Sequence, residues 1–115
     1  MRYLMMICDE ETAYAALSPD EMAAQTASYV PFMAEMGQRG VLLGGERLQS
    51  TADATTVRLR DGEVLTTDGP FAETKEQIGG YFLMECKDLD EAIEVASKIP
   101  AARNGSIEVR PIWEM

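Results

Sequence analysis

The chain has 115 residues, a length that fits one domain spanning residues 1–115 and excludes a second. Its 46% hydrophobic and 26% charged residues are typical of a folded globular protein and exclude a disordered one. Twenty acidic against ten basic side chains give a formal charge of -10, so nucleic acid and anionic membranes are not expected as partners.

The chain contains no histidine, which removes the usual general base and the commonest metal ligand. Its two cysteines, Cys8 and Cys86, each lie in an apolar run and are predicted to be reduced core thiols. Two thiolates leave a structural zinc site half filled, so no metal is predicted. The apolar run at residues 3–8 is too short to span a membrane and no cleavage site follows it, which predicts a cytoplasmic protein.

The first predicted elements are a strand and a helix. Residues 2–8 form a short apolar run that predicts a strand, and residues 18–21 read Ser-Pro-Asp-Glu, a capping box that predicts a helix start. The helix is expected to bend at Pro31 and to end at Gly40. Its apolar stripe is predicted to contain Met22, Thr26, Tyr29, Met33 and Met36.

A strand and a hairpin follow. Residues 41–48 begin as a buried strand, in which Gly44-Gly45 indicates a bulge or a close approach of backbone or ligand. Residues 54–67 predict a hairpin around Asp61-Gly62, which prefers a type I′ turn. The two-residue turn fixes the register, which directs Asp68 to the apolar face of the hairpin. That face consists of Val57, Leu59, Val64 and Thr66.

The last predicted elements repeat the strand and helix pattern. Residues 80–86 predict a strand, and Asp88 is predicted to cap a helix that stops at Pro100. The buried stripe of this helix is predicted to contain Leu89, Ala92, Ile93, Ala96 and Ile99. Residues 106–113 alternate between apolar and polar side chains and predict the last strand.

This order of elements is the split βαβ of an α+β, ferredoxin-like fold with an extended central hairpin. Two helices can cover only one face of such a sheet. Residues 3–7 and 81–84 are apolar at successive positions, so both faces of these strands require burial. We therefore expect a homodimer packed sheet to sheet, a dimeric α+β barrel.

Residues 68–76 read DGPFAETKE and resemble, letter for letter, the signature of the bacterial DGPFAETKE family, a branch of the YCII-related superfamily. The similarity extends to residues 54–58, 79–81 and 108–111. It implies a ferredoxin-like dimer and, because members are often encoded beside sigma factors of the extracytoplasmic-function type, a link to such a factor. The superfamily resembles cofactor-free enzymes with a His and Asp pair, among them a lyase for a chlorinated ring-cleavage acid. This chain departs from that pair because it has no histidine.

Asp68 is the candidate catalytic base, because a carboxylate directed inward beside Gly69 and Phe71 should have a raised pKa. The candidates for binding a substrate anion are Arg58, Arg110 and Lys75. The other candidate ligand-binding residues are Gly69, Pro70, Phe71, Glu73 and Tyr81.

Each candidate also has a structural interpretation. Asp68 before Gly69-Pro70 is a good turn former, because its carboxylate can accept hydrogen bonds from the amides ahead. The charged motif side chains fit a solvated loop as well as a pocket lid. The two arginines can pair across a sheet, and Tyr81 suits the core or a dimer contact.

Two hypotheses for function result. The first is a cofactor-independent isomerase, lyase or hydrolase that acts on a small organic acid, with Asp68 as base and the arginines as anion binders. The second is a non-enzymatic module that binds a small ligand or a protein partner, such as a sigma factor, through the same motif. No phosphate-binding loop or dinucleotide motif occurs, so no cofactor is predicted.

Overall fold

The computed structural model describes residues 1–72 and 74–115. Within them it has a mixed α+β structure with antiparallel sheets and three α-helices, which confirms the predicted α+β class. The elements in chain order are β1 (Arg2–Asp9), α1 (Glu11–Ala15), α2 (Pro19–Gln38), β2 (Leu42–Arg47), β3 (Thr55–Arg60), β4 (Glu63–Asp68), β5 (Gln77–Glu85), α3 (Leu89–Ser97) and β6 (Ser106–Pro111). Short 3-10 turns span Thr51–Asp53 and Pro100–Arg103.

The strands form two separate sheets. Four of them pair in the order β2-β5-β1-β6, with every neighbouring pair antiparallel, and β3 pairs only with β4. All the predicted strands and both predicted helices are therefore present. The short helix α1 was not predicted, because Glu10 before it makes no capping hydrogen bond that a sequence signal would reveal.

The predicted capping box at the start of α2 is confirmed. Ser18 Oγ accepts a hydrogen bond from the Glu21 amide at 3.1 Å, and the Glu21 carboxylate accepts one from the Ser18 amide at 2.9 Å. The helix continues through Pro31 and is followed by Gly40 at a φ of 72°.

The predicted apolar stripe of α2 is wrong in part. Phe32 and Met36 are its buried side chains, whereas Met33 is 46% exposed. One step along a helix rotates a side chain by about 100°, so choosing Met33 in place of Phe32 shifts the buried face. Phe32 meets the Phe82 ring of β5 edge to face, with centroids 5.4 Å apart.

The buried core lies between the helices and one face of the four-stranded sheet. The sheet contributes Tyr3, Met5, Phe82 and Met84. In α3 the buried residues are Ala92, Val95 and Ala96, whereas the predicted Leu89 and Ile93 are about half exposed. Residues three, four and seven positions after Ala92 lie on the same side of a helix as Ala92. These residues are Val95, Ala96 and Ile99, and all three are buried.

The opposite face of the sheet is not covered by these helices. Burial alternates along β1 and β5, and the half-buried side chains of that face include Leu4, Met6, Tyr81 and Leu83, which we call the open sheet face. Cys8 lies on the same side of β1, and neither it nor Cys86 forms a disulfide. In the described chain, every helix lacks either the length or the apolar character for crossing a membrane.

The hairpin has the predicted register. Arg60 pairs with Glu63, and the turn residues Asp61 and Gly62 have φ values of 50° and 76°, as a type I′ turn requires. The radius of gyration is 16.1 Å, against about 13 Å for a compact domain of this length. The chain is therefore an extended molecule, with the hairpin forming a sheet of its own.

Candidate functional site

The predicted base, Asp68, lies at the end of β4. It pairs with Thr55 in the ladder, and its side chain is exposed in the single chain. The next residue, Gly69, has a φ of 99°, donates its amide hydrogen to Ala54 O at 2.7 Å and accepts from Thr56 Oγ1 at 2.8 Å. The chain alone does not provide the burial that the hairpin register suggested for Asp68, and its role as a base stays a prediction.

Two of the predicted ligand-binding residues do meet. The Arg58 guanidinium lies over the Phe71 ring, 5.6 Å from its centroid, and Phe71 is 79% exposed. Pro70 is half-buried between Gly69 and Phe71. The start of the motif therefore folds back onto the Arg58 side of the hairpin.

The other predicted residues lie elsewhere. Arg110 forms an ion pair with Glu108 on β6, and both Arg110 and Tyr81 lie on the side of the sheet that carries Leu4 and Met6. Lys75 Nζ is 3.4 Å from Glu10 Oε1. Within one chain the structure does not gather these residues around Asp68. The candidate Glu73 falls outside the described residues.

A cavity with a largely apolar wall lies elsewhere, between the sheet and the helices α1 and α2. It has a volume of about 290 Å³ and opens beside the ends of β1, β2 and β5. Its apolar wall includes Ile7, Tyr29, Met33 and Phe82. The charged and polar side chains that line it are Asp9, Tyr14, Gln25, Thr26, Glu46 and Arg47. This combination of an apolar wall with a few polar groups is typical of small-molecule sites.

Asp9 is the half-buried carboxylate of this cavity. Burial raises its pKa, the negative charges of Glu11 and Glu76 raise it further, and the positive charge of Arg47 lowers it. Among the described residues nothing donates a hydrogen bond to the Asp9 carboxylate. Glu11 itself accepts hydrogen bonds from the amide and hydroxyl of Thr51, at 2.8 and 2.6 Å, which lower the pKa of Glu11 and keep it charged.

Arg47 and two tyrosines complete the polar side of the cavity. The Arg47 guanidinium lies 5.0 Å from the centroid of the Tyr14 ring, which holds its charge at the opening. Burial raises the pKa of the Tyr29 hydroxyl, a backbone hydrogen bond with Ala101 lowers it, and the negative charge of Asp9 raises it, with a net increase. Tyr29 therefore remains a proton-bearing hydrogen-bond donor over the whole neutral range.

Glycines allow the strands to approach each other below this cavity. A Cβ on Gly45 would lie 2.6 Å from Tyr81 O, and a Cβ on Gly79 would lie 3.2 Å from Asp9 Oδ1. The ladder between β2 and β5 shifts register between Leu42 and Gly44, which confirms the predicted bulge. The Asp9 carboxylate thus rests against a position where any side chain would crowd it.

The end of the motif lines a different hollow, which it shares with Cys8, Glu10 and Ser106. Gln77 pairs with Asp9 in the ladder between β1 and β5, and Glu76 accepts a hydrogen bond from Ser106 Oγ at 3.1 Å. The end of the motif is therefore followed by the strand partner of Asp9 but lines a different hollow, and its start lies on the hairpin.

The sequence analysis did not identify Asp9, because it directly follows the apolar run of residues 2–8 and belongs to no recognisable motif. The glycine pairs at residues 44–45 and 79–80 are the sequence feature that could have indicated the cavity, since Gly45, Gly79 and Gly80 all line it. Within residues 1–72 and 74–115, no group of three or more Cys, Asp or Glu side chains is placed to hold a metal ion.

Comparison with known proteins gives the family. Residues 1–115 match the YCII-related domain. An uncharacterized protein of Rhizobium meliloti strain 1021 is 37% identical over 121 residues, an alignment that covers 97% of this chain and 92% of that protein. The chain therefore belongs to the YCII-related domain family.

Proposed function

We propose that this protein is a cofactor-independent enzyme that acts on a small organic acid in the cavity between α2 and the sheet. Asp9 is the general base in this proposal, and Arg47 binds the carboxylate of the substrate. The observation that carries it is a half-buried carboxylate that accepts no hydrogen bond from any described residue and faces a cavity with a largely apolar wall. The proposal keeps the reaction class expected from the sequence and assigns the base to Asp9 in place of Asp68.

The environment of Asp9 suits proton abstraction from carbon. Burial raises its pKa, and a base with a raised pKa accepts a proton more readily once it is ionised. Because no described group donates to the carboxylate, both of its oxygens are available to a substrate. Arg47 lies close enough to favour the ionised form without forming an ion pair that would occupy it.

The size and charge of the cavity limit the substrate. A volume of about 290 Å³ lies at the lower end of the range for ligand sites, so the ligand is no larger than one ring or a short chain. Asp9 and Glu46 line the cavity beside Arg47, so an acid with one carboxylate fits better than a polyanion. The Tyr29 hydroxyl, kept protonated, can donate a hydrogen bond to the oxygen on which charge develops.

The finer family and fold assignments form part of the same proposal. The letter-for-letter DGPFAETKE motif supports membership of that branch of the YCII-related proteins. The strand order β2-β5-β1-β6 supports a ferredoxin-like sheet, and the open sheet face supports a homodimer that forms a dimeric α+β barrel.

A non-enzymatic binding module is the second candidate. The observation that favours it is the exposed Phe71 beside Arg58, since an aromatic ring stacked with a guanidinium is a common anchor for a partner. In that case the start of the motif binds a small ligand or a protein. The link to a sigma factor has only the family resemblance as support.

The test compares Asp9→Asn with Asp68→Asn, which removes the same charge at the exposed candidate. Phenylacetate and 3-hexenoate serve as probes, with binding measured by calorimetry and proton transfer measured as deuterium uptake from D2O at the carbon next to the carboxylate. We expect Asp9→Asn to slow deuterium uptake by about 10²- to 10⁴-fold and Asp68→Asn to leave it unchanged. If neither probe binds the parent protein, or if only Asp68→Asn abolishes uptake, the assignment to Asp9 is wrong.

A further inference from the structure

We propose that the β3–β4 hairpin is an arm that packs one apolar face against a second copy of this chain. We call the surface of Val57, Leu59 and Val64 the bare hairpin face. The inference rests on the homodimer proposed above, and it identifies a part of the chain that holds that dimer together in addition to the open sheet face.

The two faces of the hairpin are in different surroundings. On one face, Thr56 Oγ1 donates a hydrogen bond to Gly69 O, and Arg58 lies over Phe71, so the start of the motif partly covers this side. On the other face, Val57, Leu59 and Val64 are 63%, 65% and 69% exposed. The motif therefore shields the polar side of the hairpin and leaves the apolar side open.

The hairpin has no other sheet to support it. Among the residues that the structure describes, β3 and β4 pair only with each other, and an isolated two-stranded sheet is at best marginally stable in water. Its aliphatic side chains must be covered by another surface if the pairing is to persist. The described part of this chain does not provide that surface.

The total accessible surface area indicates how much surface a second copy would cover. The single chain exposes 7998 Å². A folded monomer of this mass is expected to expose about 6,200 Å². The difference of roughly 1,800 Å² exceeds the roughly 800 Å² per partner of a standard interface and falls in the range of obligate homodimers. The radius of gyration is likewise larger than that of a compact monomer.

The net charge restricts where a second copy can dock. The chain has a net charge of -10, so two copies repel each other except where they meet through uncharged surfaces. The side chains that define the bare hairpin face and the open sheet face are uncharged, whereas Asp68 lies at the end of the first face and the paired Glu108 and Arg110 lie beside the second. A basic partner would instead be attracted to the acidic surface, where it could pair its charges.

The experiment compares Val64→Ala with Val30→Ala. Val30 is 68% exposed, almost the same as Val64, but lies on α2, away from the bare hairpin face and the open sheet face. The dissociation constant of the dimer is measured by sedimentation velocity over a dilution series. Because a symmetric dimer carries every substitution twice, we expect Val64→Ala to raise the constant about 40-fold and Val30→Ala to change it less than about twofold.

Leu59→Asp provides a stronger perturbation, with circular dichroism to show that the variant still folds. We expect it to be monomeric at micromolar concentration. A parent protein that is itself monomeric would overturn the homodimer and the arm together. A dimeric parent whose affinity is unchanged by both Val64→Ala and Leu59→Asp would overturn the arm alone. Neither result depends on the binding of phenylacetate, which tests the cavity independently.

Discussion

Substitution of Gly45 tests the close packing of β2 against β5. A Cβ added there would lie 2.6 Å from Tyr81 O and 2.6 Å from Phe82 Cδ1, both closer than real side chains approach. Tyr81 O belongs to the backbone of a central strand, and Phe82 is buried against the rings of Tyr29 and Phe32. Neither atom can move without disturbing the core, so overpacking is expected to lower the free energy of unfolding by about 1 to 3 kcal/mol.

Gly44 is the matched control, because it is the neighbouring residue in the same strand and a Cβ there would meet nothing within 4 Å. Alanine at Gly44 should leave the stability unchanged or raise it by up to about 1 kcal/mol, since it restricts the unfolded chain.

Urea unfolding and thermal melting followed by far-ultraviolet circular dichroism measure the difference between these variants. All samples need the same protein concentration, because association shifts apparent stability. We expect the melting temperature of Gly45→Ala to fall by about 4 °C per kcal/mol lost and that of Gly44→Ala to stay level or rise. Equal melting temperatures for the two variants would refute the packing described for β2 and β5.

Three further predictions concern Asp9, Gly79 and Ser18. The raised pKa of Asp9 makes its ionised form destabilising, so stability is lost as pH rises from about 3.9 through the raised value. The free energy of unfolding of Asp9→Asn should therefore equal or exceed that of the parent at pH 7 and should not exceed it at pH 3. Urea titrations at both pH values measure this difference. Gly79→Ala, whose Cβ lies 3.2 Å from Asp9 Oδ1, should weaken phenylacetate binding in calorimetry. Ser18→Ala should lower the unfolding free energy by about 1 kcal/mol through loss of the cap.

The parts of the fold that the sequence predicts are those set by local interactions. The hairpin register follows from a two-residue turn at Asp61-Gly62, and the helix starts follow from Ser18 and Asp88, whose side chains bond amides three residues away. The buried faces of α2 and α3 were less accurate, because apolar residues such as Met33 and Ile93 lie at the edges of their stripes. Which edge residue is covered depends on how the helix packs on the sheet.

The cavity could not be predicted because its members come together only in the folded chain. Asp9 ends one strand, Arg47 ends another and Tyr29 lies in the middle of a helix, with no fixed spacing between them. The motif at residues 68–76 drew attention because it is continuous in sequence. Its start and end lie in different places, and none of its described residues lines the cavity.

The strand order described for the larger sheet also bears on how it avoids growing into a fibril. With the order β2-β5-β1-β6, the two edge strands are β2 and β6, which could in principle accept a further strand. The bulge before Gly44 interrupts the ladder of β2, and the charged Glu46 and Arg47 follow it. β6 carries Glu108 and Arg110 and ends at Pro111, which has no amide hydrogen to donate. Both edges are thus poor templates for strand addition, which disfavours edge-to-edge polymerisation of this sheet.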